Sequence, residues 1–153
     1  MRYLVRHADA GDKHQWRGPD DQRPLSDIGR READGLIALL RDVPIVRIVS
    51  SPAVRCTQTM QPLARKRQLP LSIDVALAAG ADVDRAIELL LAPDADGVVW
   101  CSHRELIAPL MARLQERGAP IGDQPDWAKG SVWAIEVADG VITRAAYLPP
   151  SPG

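Results

Sequence analysis

Three short apolar runs in this chain each end on residues that could do chemistry. Tyr3-Leu4-Val5 leads into Arg6-His7, and Ile45 to Val49 leads into Ser50-Ser51-Pro52 with Arg55 close behind. Val98-Val99-Trp100-Cys101 leads into Ser102-His103. Arg23 lies in the Gly-, Pro- and Asp-rich stretch from Ala8 to Leu25, a loop long enough to fold back over the same place as a third cation. Two chemistries compete for such a set. His7, Asp9, His14 and His103 are of the types that bind a transition metal. Two or three guanidinium groups repel a divalent cation, however, and suit an anion such as a phosphoryl group. The same charges lower the pKa of a nearby imidazole, which then stays neutral and keeps a nucleophilic nitrogen. A histidine among arginines is thus fitted to attack phosphorus while the arginines stabilise the phosphoryl oxygens. Neither a P-loop nor a Gly-x-Gly-x-x-Gly motif occurs, which excludes nucleotide binding by those routes.

These residues act together only if the apolar runs lie side by side. Each run has the length and character of a buried strand. Between them the pattern turns helical. Ser26 reads as an N-cap ahead of Ala33, Leu36, Ile37 and Leu40, which share one helical face until Pro44 stops the helix. Ser51-Pro52 reads as the N-cap and first position of a second helix, which Pro62 should kink or break. Leu71 to Val75 is extended. Val83, Ala86, Ile87, Leu90 and Leu91 make a third stripe, and Ile107, Leu110, Met111 and Leu114 a fourth that ends at Gly118. Ser131 to Val137 and Val141 to Leu148 flank Asp139-Gly140, a strong hairpin signal. The alternation predicts an α/β layered fold with a mainly parallel sheet and an antiparallel edge. Ligands of such sheets bind beyond the carboxyl ends of the strands, where the three sets fall.

The 153 residues predict one domain over 1–148 and a loose tail over 149–153. Apolar residues at 46% and charged residues at 25% argue for a packed core rather than disorder. Nineteen basic against 20 acidic residues leave a formal charge of −1, so no global field recruits nucleic acid or an anionic membrane. Neither a secretory signal nor a membrane span is expected, because no apolar run approaches the roughly 18 residues a span needs. Cys56 and Cys101 lack disulfide-scaffold and zinc spacing, and a reduced cytoplasmic compartment is the expectation. The 16 arginines against three lysines suit phosphate recognition, but codon usage produces the same ratio, so position must decide which arginines matter. Lys13 and His14 read as surface residues. Trp16 reads as pinning its loop to the domain, with stacking on a nucleobase as the alternative. Cys101, two residues before His103, reads as an inert buried thiol rather than half of a Cys-His nucleophile.

The motifs also carry a family resemblance. Leu4-Val5-Arg6-His7-Ala8 resembles the Arg-His-Gly signature of the histidine phosphatase (phosphoglycerate mutase-like) superfamily, with alanine in place of the glycine. Ser50-Ser51-Pro52 through Arg55, then Gln58-Thr59, resembles its second motif, and Ser102-His103 its third. Arg23-Pro24-Leu25-Ser26 with Gly29 is similar to the stretch before the family's first helix. The resemblance runs in order from about residue 3 to residue 110, and it implies a three-layer sandwich. It also implies that His7 is the nucleophile that becomes phosphohistidine, that Arg6, Arg55 and Arg23 hold the phosphoryl group, and that His103 completes the pocket. No metal and no other cofactor is implied. The short length resembles the phosphohistidine phosphatase branch typified by bacterial SixA proteins. Trp16-x-Gly18-Pro19-Asp20 through Arg23-Pro24-Leu25 is also similar to a histidine phosphatase domain attached to Nudix hydrolases in some actinobacteria, a branch that acts on nucleotides.

One departure bears on substrate. Many members carry a glutamate, as general acid, after the second motif, but Leu77-Ala78-Ala79-Gly80-Ala81-Asp82 has none before Glu88. A general acid contributes about 10²–10⁴-fold when the leaving group is poor. Its absence points to a good leaving group, with Asp82 reading as a helix N-cap and, as the alternative, a substitute acid. The expected partner is a phosphorylated protein, phosphohistidine first, or else a small phosphorylated substrate such as a nucleotide phosphoanhydride. A phosphate-binding module without catalysis is the reading from a different class. Binding alone would not need His7.

Overall fold

The computed structural model describes residues 1–122 and 125–151. Six strands form one sheet in the order β3-β2-β4-β1-β5-β6. They are β1 Arg2–Arg6, β2 Arg47–Ser50, β3 Leu71–Ile73, β4 Val98–Ser102, β5 Val132–Ala138 and β6 Val141–Leu148. The first four run parallel, and the β5–β6 hairpin adds the antiparallel edge on β1. Asp139 and Gly140 turn that hairpin with φ of 52° and 75°, the left-handed pair that a tight two-residue connection needs. Four helices connect the strands: α1 Asp27–Leu39, α2 Val54–Arg67, α3 Val83–Leu91 and α4 Arg104–Glu116. The α/β sandwich with a mainly parallel sheet is as expected.

Alternation along the strands builds both cores. Leu4, Val49, Val98, Trp100, Trp133 and Ile135 point to one face and pack with α3 and α4. Tyr3, Val5, Ile48, Val99, Cys101, Val132 and Ala134 point to the other and pack with α1 and α2. A central strand covered on both faces must be apolar at every position, hence the continuous runs rather than alternating ones. Among the described residues, no helix is long and apolar enough to cross a membrane.

Two local expectations need correcting. Helix α2 begins at Val54 with Ala53 as its N-cap, two residues later than expected; the Ser51 hydroxyl accepts from the Ala53 N–H at 3.3 Å and also faces His103. Pro62 lies inside α2 without ending it. Helix α2 packs along α1, and its Arg67 guanidinium donates to the Leu40 carbonyl at the end of α1. Of the tail expected to be loose, Pro152 and Gly153 lie outside the described residues.

The 8–25 segment is anchored at both ends and exposed between them. Ala8, Ala10 and Leu25 are buried with Ala33 of α1, whereas residues 11–22 are all exposed. Ser26 caps α1 by accepting from the Gly29 N–H at 3.0 Å, and its N–H donates to the Asp9 carbonyl. The first turn of α1 therefore lies directly on the backbone of Asp9. A Cβ at Gly29 would come 1.9 Å from the Asp9 carbonyl oxygen. Gly29→Ala is expected to cost about 1–3 kcal/mol and to lower the thermal midpoint by roughly 3–10 °C. An unchanged melting curve would show that this contact is not a constraint.

Candidate active site

The parallel order sets β1 between β4 and β5, with β2 beyond β4, so the carboxyl ends of β1, β4 and β2 open on one rim. His7 follows β1, and its backbone N–H donates to the Ser102 carbonyl at 3.0 Å. His103 follows β4 and is the N-cap residue of α4. Arg55 lies in the first turn of α2, beyond β2. The rim thus gathers two helix N-termini, whose free N–H groups favour an anion.

The two imidazoles stand edge to face, centroids 5.3 Å apart. His7 Nδ1 lies 2.8 Å from the Ala8 carbonyl, which can only accept, so Nδ1 carries the hydrogen and Nε2 keeps its lone pair. His103 has the opposite arrangement. Arg55 Nη2, which can only donate, lies 3.3 Å from His103 Nδ1, and Nε2 faces the Ser51 hydroxyl at 2.8 Å. The thiol beside His103 is Cys56, 3.5 Å from Nε2, rather than Cys101. Both thiols are sealed in the core, so neither is an accessible nucleophile; burial together with Cys56 pushes the Cys101 thiol up, whereas for Cys56 burial is outweighed by the hydrogen bonds to Cys101 and His103, which bring the thiol down.

Arg6, Arg55 and His103 are the groups brought around His7. Arg6 donates through Nη1 to the Trp127 carbonyl at 2.9 Å. Arg55 grips Asp20 twice, Nη1 to the carbonyl at 2.7 Å and Nη2 to the carboxylate at 3.0 Å. Each keeps one buried N–H, Nε, with no partner, and these are the unpartnered buried side-chain polar atoms among the described residues. Such atoms are rare in folded proteins and mark a place where a ligand completes the bonding. Arg23 stands one step back. It donates to the Ala10 carbonyl at 2.7 Å and to Asp20 at 3.2 Å, and it joins the group only through that shared carboxylate.

Three further residues hold the site. Thr59 accepts from the Ala8 N–H at 2.9 Å and donates to the Arg55 carbonyl at 2.6 Å, tying the backbone after His7 to α2. Gln58 accepts from the Leu25 N–H at 2.8 Å, tying down the far end of the loop. Asp20 clamps both arginines; burial raises its pKa, but Arg55 and Arg23 outweigh that and hold it below the ordinary carboxylate range. Gln58 and Thr59 were visible in the sequence motif, and the three-residue spacing of Asp20 and Arg23 was a weaker signal. The Trp127 carbonyl had none, being a backbone group far along the chain.

The metal alternative finds no geometry. Among the described residues, no three His, Cys, Asp or Glu converge as a metal would need. Asp9 is committed to the Ser26 hydroxyl at 2.6 Å and the Lys129 ammonium at 3.1 Å, and His14 lies on the exposed loop. Asp82 caps α3 by accepting from the Asp84 N–H at 2.9 Å.

Comparison with known proteins gives the family and the fold. The profile of the histidine phosphatase superfamily (branch 1) matches residues 2–79. A Mycolicibacterium smegmatis protein named 8-oxo-(d)GTP phosphatase is 32% identical over 152 residues, covering 96% of this chain and 47% of that protein. The chain therefore spans about half the length of this relative. The structure of the protein histidine phosphatase SixA complexed with tungstate superposes with a TM-score of 0.77 at 24% identity, over 98% of this chain and 96% of that one. A candidate phosphohistidine phosphatase SixA from Agrobacterium tumefaciens gives a TM-score of 0.66 at 26% identity, over 97% and 96% of the two chains.

Burial is the largest influence on His7, and His103, Arg55 and Arg6 act in the same direction against the opposing Ala8 hydrogen bond, so its pKa falls to about 3. The unfolded chain takes up a proton on this ring below pH 6.5 that the folded chain refuses until about pH 3. Folding stability at this residue is accordingly complete above the unfolded pKa and is lost as pH falls through that window. From about pH 7 to pH 5, denaturant titrations should give a shallower stability loss for His7→Asn than for wild type, the slopes differing by up to ~1 kcal/mol per pH unit. Equal slopes would contradict the assignment.

Proposed function

The chain belongs to the histidine phosphatase superfamily (branch 1), and from that membership we propose that it hydrolyses a phosphoryl substrate through a phosphohistidine intermediate on His7. One observation carries the reading. An imidazole with its Nδ1 hydrogen tied back and its Nε2 open lies among two arginines that each hold an unpartnered buried N–H.

The reaction follows from the placement of charge. The Nε2 lone pair forms a bond to phosphorus as the bond to the leaving group breaks, and the leaving group departs with that electron pair. Arg6 and Arg55 donate to the phosphoryl oxygens, whose charge shifts as the bonds change. His103, whose Nε2–H is directed at Ser51, lines the pocket beside the attacking ring. Water then attacks the phosphohistidine, the P–N electron pair returns to Nε2, and phosphate and a proton leave. His7 pKa near 3 keeps the nucleophile neutral throughout the physiological range.

The proton donor is where this chain limits its substrates. Two carboxylates lie near the rim: Asp20, which its two arginines hold below the ordinary carboxylate range, and Glu105 in the first turn of α4, whose charge acts on Arg6. Asp82 is occupied as a cap. The lack of a glutamate after the second motif favours a leaving group that needs no proton from the enzyme, as phosphate in a phosphoanhydride, or imidazole in a phosphohistidine whose other ring nitrogen already carries a proton. Two relatives support these classes, the SixA-type structures the first and the 8-oxo-(d)GTP phosphatase the second.

Phosphate release should be unaffected by EDTA and should fall by at least about 10³-fold in His7→Ala. Arg55→Ala should cost about 10²–10³-fold in kcat/KM. Rapid quench with a labelled substrate should trap an acid-labile, base-stable phosphoryl group on wild type. Turnover by His7→Ala at the wild-type rate would dismiss the mechanism, as would sugar phosphates matching phosphohistidine and phosphoanhydride substrates in kcat/KM.

A further inference from the structure

Outside the phosphoryl site, the exposed loop carries one aromatic ring with no part in the core. Trp16 is 38% exposed and belongs to none of the apolar clusters. The expectation that it pins the loop to the domain is therefore not met. Its indole N–H donates to the Pro19 carbonyl of its own loop at 2.9 Å. A Cβ at Gly18 would lie 3.1, 3.2 and 3.2 Å from Cζ2, Cε2 and Nε1 of the ring. All three atoms lie on the Nε1 edge of the indole, so Gly18 packs against that edge, and the hydrogen bond to Pro19 holds the rotation of the ring.

The ring borders a recess of about 230 Å³, lined also by Ala10, Gly11, Asp12, Gln15 and Arg23. Arg23 joins this recess to the phosphoryl site, because the carboxylate it holds is the one that Arg55 grips. The Gln15 amide, which makes no hydrogen bond among the described residues, adds a donor and an acceptor beside the ring. A planar, polar-edged ring attached to a phosphate chain suits both halves. Its π-face meets indole, its edges meet the amide and its phosphates meet guanidinium groups.

We propose that this recess is a base-binding subsite with Trp16 as its stacking platform, so that the substrate is a nucleoside di- or triphosphate. The inference rests on the phosphohistidine reading above and adds the class of substrate. Attack by His7 Nε2 on the terminal phosphorus forms the P–N bond and breaks the bridging P–O bond, whose electron pair stays on the shortened nucleotide. Water then releases phosphate from His7. The departing group is a nucleotide phosphate, which needs no proton from the protein. A protein phosphohistidine would leave the recess without a use.

The test compares wild type, Trp16→Ala, Trp16→Phe and Gly18→Ala on guanosine diphosphate and on pyrophosphate, which has no base, with a phosphohistidine peptide as a third substrate. Alanine at Gly18 is permitted by its backbone and would push against the indole. The expected result is a rise in KM for guanosine diphosphate of about 10- to 100-fold in Trp16→Ala beyond any change for pyrophosphate. Most of that selectivity should persist in Trp16→Phe, and part should be lost in Gly18→Ala. Equal losses on both substrates in Trp16→Ala would assign the ring to loop structure and overturn the proposal. So would turnover of the peptide by wild type with none of the nucleotide. His7→Ala run alongside separates the two levels: if it turns over guanosine diphosphate like wild type, the mechanism fails; if it is inactive while Trp16→Ala matches wild type, only the base subsite fails.

Discussion

The constraint on which this site depends is the burial of an uncharged imidazole beside fixed positive charge. Water would allow His7 to protonate near neutrality, and a protonated ring has no lone pair to offer. The protein prevents this by removing solvent and by setting Arg6, Arg55 and His103 around the ring. The same arginines would be costly to bury without anionic partners. Asp20 relieves part of that cost for Arg55, and backbone carbonyls relieve part for Arg6 and Arg23. What is left buried without a partner is the Nε–H of each of Arg6 and Arg55.

A parallel sheet makes this arrangement possible with little machinery. Because β1, β4 and β2 run the same way, a residue placed just after each strand reaches the same rim. The positions are then fixed by backbone rather than by long side chains. His7 is held by its N–H on Ser102, and the next N–H, from Ala8, by Thr59. Thr59 also bonds the carbonyl of Arg55, so one hydroxyl couples the backbone after His7 to that of Arg55. The spacing from Arg55 to Thr59 is one helical turn, which a helix delivers and a loop would not.

The elements were legible where a single period governed the residues. The strands after which the site residues fall, the Ser26 and Asp82 caps and the Asp139-Gly140 turn all follow from local chemistry, and all appear in the structure. The start of α2 did not follow, because the Ser51 hydroxyl bonds the Ala53 N–H ahead of the helix and also the ring of His103, a tertiary partner the local pattern does not show. Pro62 was read from its missing donor and its ring, yet α2 continues through it within the packed layer formed with α1. His7, His103, Arg6 and Arg55 were legible because each follows a strand or opens a helix. The grip of Asp20 on Arg55 and of the Trp127 carbonyl on Arg6 was not, because those partners lie 35 and 121 residues apart and no spacing rule connects them.

Asp20 ties the loop to the chemistry. It lies on the exposed segment, four residues after Trp16, and its carboxylate occupies guanidinium donors that a phosphate would also seek. A substrate phosphate approaching Arg55 and Arg23 therefore meets a like charge already seated between them. Asp20 therefore holds Arg55 and Arg23 together while leaving the Arg55 Nε–H without a partner, and it does so from the same exposed segment that brings Trp16 to the neighbouring recess.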